Sequence, residues 1–345
     1  MNTSGLLKRR LRRVGAVAAL GLAALAVPAS SSASSEKVDG VKAEIKHGTL
    51  EVKGDDQANA VALRLAAGDS SRVQVDAGDN GTPDFSFPRS DIAAINVKTG
   101  DGNDSVRVDD ANGAFTVSIP TTIAGGEGND SLQGGQLQVA AENETFKGGD
   151  GNDTVDGGKG NDSAFLGAGD DTFRWDNGEG SDVIEGQDGT DTMLFNGAGV
   201  AENVTLSAHG GRLTFFRVQG NVTMDTDGVE IVDDKAIGGA DSVTVNDLTG
   251  TDVTETNIDL AGTFGGSAAD GALDSVVVNG TSGDDNINIT GNGSGADVTG
   301  LAAAVSVKHA DPTDTLSVNT LAGTNHVATT GVAGLIQVLV DGVAV

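Results

Sequence analysis

The chain has 345 residues and a formal net charge of −29, with 50 Asp and Glu set against 21 Lys and Arg. Such a surplus repels polyanions, so nucleic acids and anionic membrane surfaces are excluded as partners and cations are favoured. There is no Cys, Gly numbers 52 and aromatic residues make up only 3%, which rules out a disulfide framework and suits a thin aliphatic ladder better than a thick globular core.

The first 33 residues read as a secretory signal peptide. Lys8, Arg9, Arg10, Arg12 and Arg13 precede an apolar run from Val14 to Val27, and Pro28 with a Ser/Ala stretch follows. The run is short for a bilayer span, so cleavage after Ala29 or Ala33 is expected; a membrane anchor is the alternative. A secreted chain without Cys needs another staple, and metal is the natural substitute.

Residues 34–98 form a β-rich segment of short alternating triplets, Leu50-Glu51-Val52, Leu63-Arg64-Leu65, Val73-Gln74-Val75 and Ile95-Asn96-Val97, separated by Gly/Asp turns. Each places two apolar side chains on one face of a strand. Asp76, Asp79 and Asp84 sit in a turn-rich stretch whose spacing fits no EF-hand, so a solvated loop is preferred there over a cation site. The triplets continue as Val106-Arg107-Val108, Val117-Ser118-Ile119 and Leu137-Gln138-Val139.

Residues 99–195 carry a tandem repeat. From Gly148 the chain reads in nines: GGDGNDTVD, GGKGNDSAF and LGAGDDTFR, then, after Trp175 and Asp176, NGEGSDVIE and GQDGTDTML. Gly holds the fourth position of every unit and Asp the sixth, while the eighth is Val155, Ala164, Phe173, Ile184 or Met193. Gly at positions one, two and four permits positive φ and a sharp turn, and Asn or Asp at position five tolerates left-handed backbone. Asp at position six adds a hard carboxylate to a stretch of exposed carbonyls. Positions seven to nine make a very short strand with one inward side chain. A single unit buries almost nothing and is stable only when stacked on copies of itself.

These units resemble the calcium-binding nonapeptide repeats of the RTX (repeats-in-toxin, hemolysin-type) family, G-G-x-G-x-D-x-U-x with U apolar. GGDGNDTVD matches at every fixed position, as does GGEGNDSLQ (125–133), and TGDGNDSVR (99–107) misses only the first Gly. The resemblance implies an all-β protein built as a parallel β-roll or β-solenoid, two nonapeptides per turn, with several Ca²⁺ ions held between Gly/Asp-rich loops. Carried onto this chain, the implied metal residues are Asp104, Asp130, Gly149, Gly151, Asp153, Gly158, Gly160, Asp162, Gly167, Gly169, Asp171, Asp182, Asp191 and Asp285. Units two apart are then expected to stack on one edge, Asp153 on Asp171 and Asp171 on Asp191, with Asp162 on Asp182 at the other edge and Trp175-Asp176 absorbed as a bulge.

Beyond Phe195 the nonapeptides blur, yet triplets persist from Val204-Thr205-Leu206 to Leu316-Ser317-Val318, with one further unit at 280–288. Residues 196–345 therefore read as an irregular, solenoid-like C-terminal half, a separate β-sandwich being the alternative. His47, His209, His309 and His326 are scattered without ligand spacing, and no nucleophile–base constellation appears. The sequons at Asn103, Asn129, Asn152 and Asn161 arise from the repeat itself. The expectation is a secreted calcium-binding protein with a structural or adhesive role and no enzymatic activity. Extracellular polysaccharide or a cell-surface ligand is its candidate partner, without nucleic-acid binding or membrane insertion. The alternative is a Ca²⁺-dependent polysaccharide lyase or epimerase on a parallel β-solenoid.

Overall fold

The computed structural model describes residues 36–137 and 143–345. The expected signal peptide lies outside the described residues, as do Gln138 and Val139 of the Leu137 triplet. Strands form two sheets, one of fifteen and one of fourteen, and no α-helix occurs among the described residues.

In the repeat region each rung contributes one strand to each sheet. The first sheet runs in parallel through Ala94–Asp101, Thr121–Glu127, Glu144–Asp150, Ser163–Ala168 and Val183–Asp188. The second runs in parallel through Ser105–Asp109, Ser131–Gln133, Thr154–Asp156, Thr172–Asp176 and Thr192–Asn196. The protein is a parallel β-roll. Strands on both sides of residue 196 belong to the same two sheets: Thr192–Asn196 pairs with Ile231–Lys235, which pairs with Glu255–Asp259.

The core is a pair of columns set by position eight. In the second sheet Val106, Leu132, Val155, Phe173, Met193 and Val232 are successive register partners, and all are buried. In the first sheet Val97, Ile123, Phe146, Ala164 and Ile184 form the matching column. A second inward residue follows two positions later in some rungs, where a single one was expected. Beside small Ala164 stands buried Leu166, whereas Phe146 and Ile184 are followed by Gly148 and Gly186. In these three strands a large residue at one inward position goes with a small one at the other, whereas in the second sheet Phe173 is followed by Trp175 and Met193 by Phe195, all buried.

Trp175 and Asp176 are not a bulge. They prolong the strand Thr172–Asp176, in register with Phe195 and Asn196. The reason is packing: the Trp175 ring stacks on Phe195 at 4.0 Å between centroids, and Phe195 meets Phe215 at 4.4 Å.

Three antiparallel excursions interrupt the parallel order, within Ala60–Pro88, Asn203–Asp227 and Asn286–Lys308. The turn-rich stretch near Asp76 is tied down rather than merely solvated. Asp76 is fully buried against Arg64 and accepts the backbone N–H groups of Asn80 and Gly81, while Asp79 pairs with Arg107. Val117-Ser118-Ile119 is not a strand: Thr116–Ser118 is a 3₁₀ turn with Val117 44% exposed.

Candidate metal centre

The position-six aspartates form one continuous ladder along an edge of the roll. The backbone N–H of Asn59 donates to Oδ1 of Asp104 at 2.7 Å, Asp104 to Asp130 at 2.8 Å and Asp130 to Asp153 at 2.7 Å. Asp153 donates to Asp171 at 2.6 Å, Asp171 to Asp191 at 2.9 Å, and Asp191 to the Glu230 carboxylate at 2.8 Å. On the other edge Glu144 donates to Asp162 at 2.6 Å and Asp162 to Asp182 at 2.8 Å. The two-apart stacking inferred from the repeat is the stacking observed.

Each carboxylate spends one oxygen on this ladder. The second, Oδ2 of Asp130, Asp153, Asp171 and Asp191, is buried and has no hydrogen-bond partner. Buried polar atoms are otherwise paired almost without exception, so a row of orphans at one-rung intervals marks the absence of a cationic partner from the protein's own side chains. Burial raises these acids: Asp130 and Asp191 to about 6, Asp153 and Asp182 to about 7. The neighbouring carboxylates add to the effect at Asp130, Asp153 and Asp191. Asp162 is pushed far up by burial and then by the charges of Asp182 and Glu144. Asp104 and Asp171 are also raised, again by burial first.

The glycines shape the loops in two ways. At positions two and four of most units they carry positive φ, +128° at Gly149 and +129° at Gly151, and Gly158, Gly160, Gly167 and Gly169 do likewise, while Gly180 at position four does not. The carbonyl of Gly128 is aimed at the α-carbon of Gly151, and that of Gly149 at Gly167, so a Cβ would fill the loop. At position one the reason is different, because φ is not positive there. A Cβ on Gly157 would lie 2.8 Å from Oδ2 of Asp162, and one on Gly186 2.5 Å from Oδ2 of Asp191. Where position one is Gly, a Cβ would crowd its own unit's carboxylate and, at Gly148 and Gly186, a carbonyl of the neighbouring rung, that of Leu166 and of Gly228 respectively; Leu166 and Asn177 hold the position in the other two units.

Position five also departs from expectation. Asn103, Asn129, Asn152 and Asn161 do not have positive φ. Their side-chain oxygens form an outer ladder of opposite polarity, Asn129 N–H to Asn103 and Asn152 N–H to Asn129, both at 2.9 Å. Asp170 and Thr190 continue it.

Asp285 stands apart from these ladders. Its carboxylate is engaged by the backbone N–H and hydroxyl of Thr281, and its N–H donates to Asn325. A further ladder escaped the sequence reading. Glu202 N–H donates to Asp241 at 2.7 Å, Asp241 to Asp274 at 2.8 Å and Asp274 to Asp314 at 3.0 Å. Burial raises Asp241 to about 6 and Asp274 to about 7. The surviving signal is Asp-Ser/Thr-apolar at 241–243, 274–276 and 314–316, which is positions six to eight of the repeat; of its glycines only the position-four Gly239 before Asp241 is kept, at φ +124°.

The donor set is all oxygen, hard and anionic, in a glycine cradle that has room for nothing bulkier than backbone. It fits Ca²⁺, which takes 6–8 oxygens at 2.3–2.6 Å in flexible geometry. Fold and site together define a calcium-binding β-roll. The family model of the RTX calcium-binding nonapeptide repeat (4 copies) matches residues 121–136, 140–173 and 178–197, and this segment is an RTX repeat array. No curated protein and no solved structure matches the chain.

Proposed function

We propose that the chain is an extracellular structural or adhesive module whose residues 99–195 fold on Ca²⁺. The observation that carries this reading is the row of buried, unpartnered Oδ2 atoms on Asp130, Asp153, Asp171 and Asp191. Neighbouring strands of a sheet lie about 4.8 Å apart, and two carboxylates at about 5 Å repel by ~3 kcal/mol at an effective dielectric near 20. Several such pairs are comparable with the ~5–15 kcal/mol that holds a whole domain together. Bound Ca²⁺ turns that repulsion into attraction. Asp104, Asp130, Asp153, Asp171 and Asp191 would hold ions along one edge and Asp162 and Asp182 along the other, with the loop carbonyls completing the shells.

Extracellular modules bind Ca²⁺ at roughly 10⁻⁴–10⁻³ M, so such a chain stays open inside the cell and folds after export. The lack of Cys and the signal-like first 33 residues agree with that route. Among the described residues no helix is long and apolar enough to cross a membrane. The binding role is favoured over a polysaccharide lyase because Arg64, Arg107, Arg174, Arg212 and Arg217 are each engaged by carboxylates, which leaves none of these as a ready base. The test is incubation with polyanionic polysaccharides and cell walls in millimolar-range Ca²⁺, on the order of those extracellular affinities. Ca²⁺-dependent retention without unsaturated product supports the proposal; unsaturated product overturns it in favour of the lyase.

A further inference from the structure

Where the nine-residue frame breaks, the structure gathers a second kind of acidic site. The rung from Asp153 to Asp171 spans 18 residues and the next, from Asp171 to Asp191, spans 20. The extra pair is Trp175-Asp176. Three residues on, position three of the following unit is Glu179, where the corresponding residue one rung earlier is Lys159. One carboxylate oxygen from each of Asp156, Asp176 and Glu179 lies within 4.8 Å of the other two. That is the spread of oxygens on a sphere around an ion bound at 2.3–2.6 Å.

A second observation points to a ligand. Glu179 is only 6% exposed; its Oε2 accepts the Asp176 N–H at 2.6 Å, while its Oε1 is buried with no partner. Alongside, Asn196 is 5% exposed, donates through Nδ2 to Asp176 at 2.7 Å, and has an unpartnered Oδ1. Charge agrees as well. Arg174 pairs with Asp156 and reaches Asp176 at 3.4 Å, and the charge of Lys159 acts on Glu179 from farther off, so only one cation is in direct contact with three negative charges. A divalent ion neutralises the remainder.

We propose that Asp156, Asp176 and Glu179 bind a Ca²⁺ ion separate from those of the aspartate ladders, held by side chains at strand ends rather than by the glycine loops. This ion ties the ends of Thr154–Asp156 and Thr172–Asp176 to the loop that leads to Asp182, the point at which the regular array gives way to longer rungs. Its ligands are residues outside the repeat pattern: the inserted Asp176, and Glu179 at a variable position.

The site is read by counting Ca²⁺ on the full chain, by native mass spectrometry and equilibrium dialysis. Trp175-sensitised Tb³⁺ luminescence adds a local probe, because Trp175 is the single Trp, there is no Tyr, and its Nε1 donates to Gly180 O in the adjoining loop. Glu179→Gln and the half-exposed Asp176→Asn should each bind one Ca²⁺ fewer than wild type, with the sensitised Tb³⁺ signal reduced by half or more. Asp153→Asn should instead alter ladder binding and leave most of that signal intact. If both Glu179→Gln and Asp176→Asn retain the wild-type Ca²⁺ count and luminescence, the cluster is held by protons, by Arg174 and Lys159, and by the donors that Gln133 and Gly158 turn on Asp156, and the proposal is wrong.

Discussion

Asp153→Asn separates a metal ligand from a mere structural hydrogen-bond acceptor. The amide keeps Oδ1, which accepts the Asp130 N–H at 2.7 Å, and removes only the charge. Burial first, and then Asp130 and Asp171, raise the Asp153 carboxyl from the ordinary 3.8 to about 7. At pH 8 the ionised form is therefore disfavoured in the calcium-free fold by on the order of 4 kcal/mol, and relief of part of that should make the variant more stable than wild type in chelator, by about 2–4 kcal/mol. In saturating Ca²⁺ the sign reverses. A lost carboxylate ligand should raise the calcium midpoint about tenfold or more, each tenfold being about 1.4 kcal/mol. The assay is the β-sheet circular dichroism retained in chelator, where the wild-type array is expected to be largely open and the variant less so, together with urea unfolding in Ca²⁺. No gain of β-sheet over wild type in chelator, together with destabilisation in Ca²⁺, would refute the reasoning, since it would assign Asp153 a structural role indifferent to metal.

The pH dependence of the calcium-free protein follows from the same groups. Asp130 and Asp191 at about 6, and Asp153 and Asp182 at about 7, lie above the ordinary 3.8, so between about pH 4 and 7 the folded chain holds more protons than the unfolded one. Stability in chelator should therefore fall as pH rises through that window and return on acidification towards pH 5, visible as regained β-sheet dichroism; in limiting Ca²⁺ the trend should oppose this, because protons displace the ion. Phe173→Ala removes the largest side chain of the fully buried Val155–Phe173–Met193 column and should cost about 3–5 kcal/mol in Ca²⁺, measured by the same urea titration. Gln187 occupies position two, where the other units within residues 99–195 have Gly, at φ +77°; Gln187→Gly should stabilise the calcium-bound protein by up to ~1 kcal/mol, the relief of left-handed strain less the added unfolded-state freedom, seen as a rise in Tm.

The roll was legible because its repeat is short and strict. Asp at position six and an apolar residue at position eight fix both register and inward face, so the Asp153–Asp171–Asp191 ladder and the Val155–Phe173–Met193 column follow from counting. What counting missed has identifiable causes. Trp175-Asp176 looked like an interruption, but only the tertiary stack on Phe195 reveals that the pair lengthens a strand. Position five looked like a backbone feature, since Asn tolerates positive φ, whereas Asn129 and Asn152 use their side-chain oxygens across rungs. Asp241, Asp274 and Asp314 were hidden because their loops have lost most of the glycines that made the earlier units conspicuous, Gly239 being the one kept at its repeat position. The Asp156–Asp176–Glu179 cluster joins residues of different rungs, and no single unit displays it.

Hydrogen exchange measured amide by amide across residues 99–195 of the full chain, in chelator and in Ca²⁺ at neutral pH, tests calcium-dependent folding most directly. The ladder amides of Asp104, Asp130, Asp153, Asp171 and Asp191 should exchange nearly as in an unfolded chain without Ca²⁺ and become strongly protected with it. Equal protection of these amides in both conditions would contradict the account.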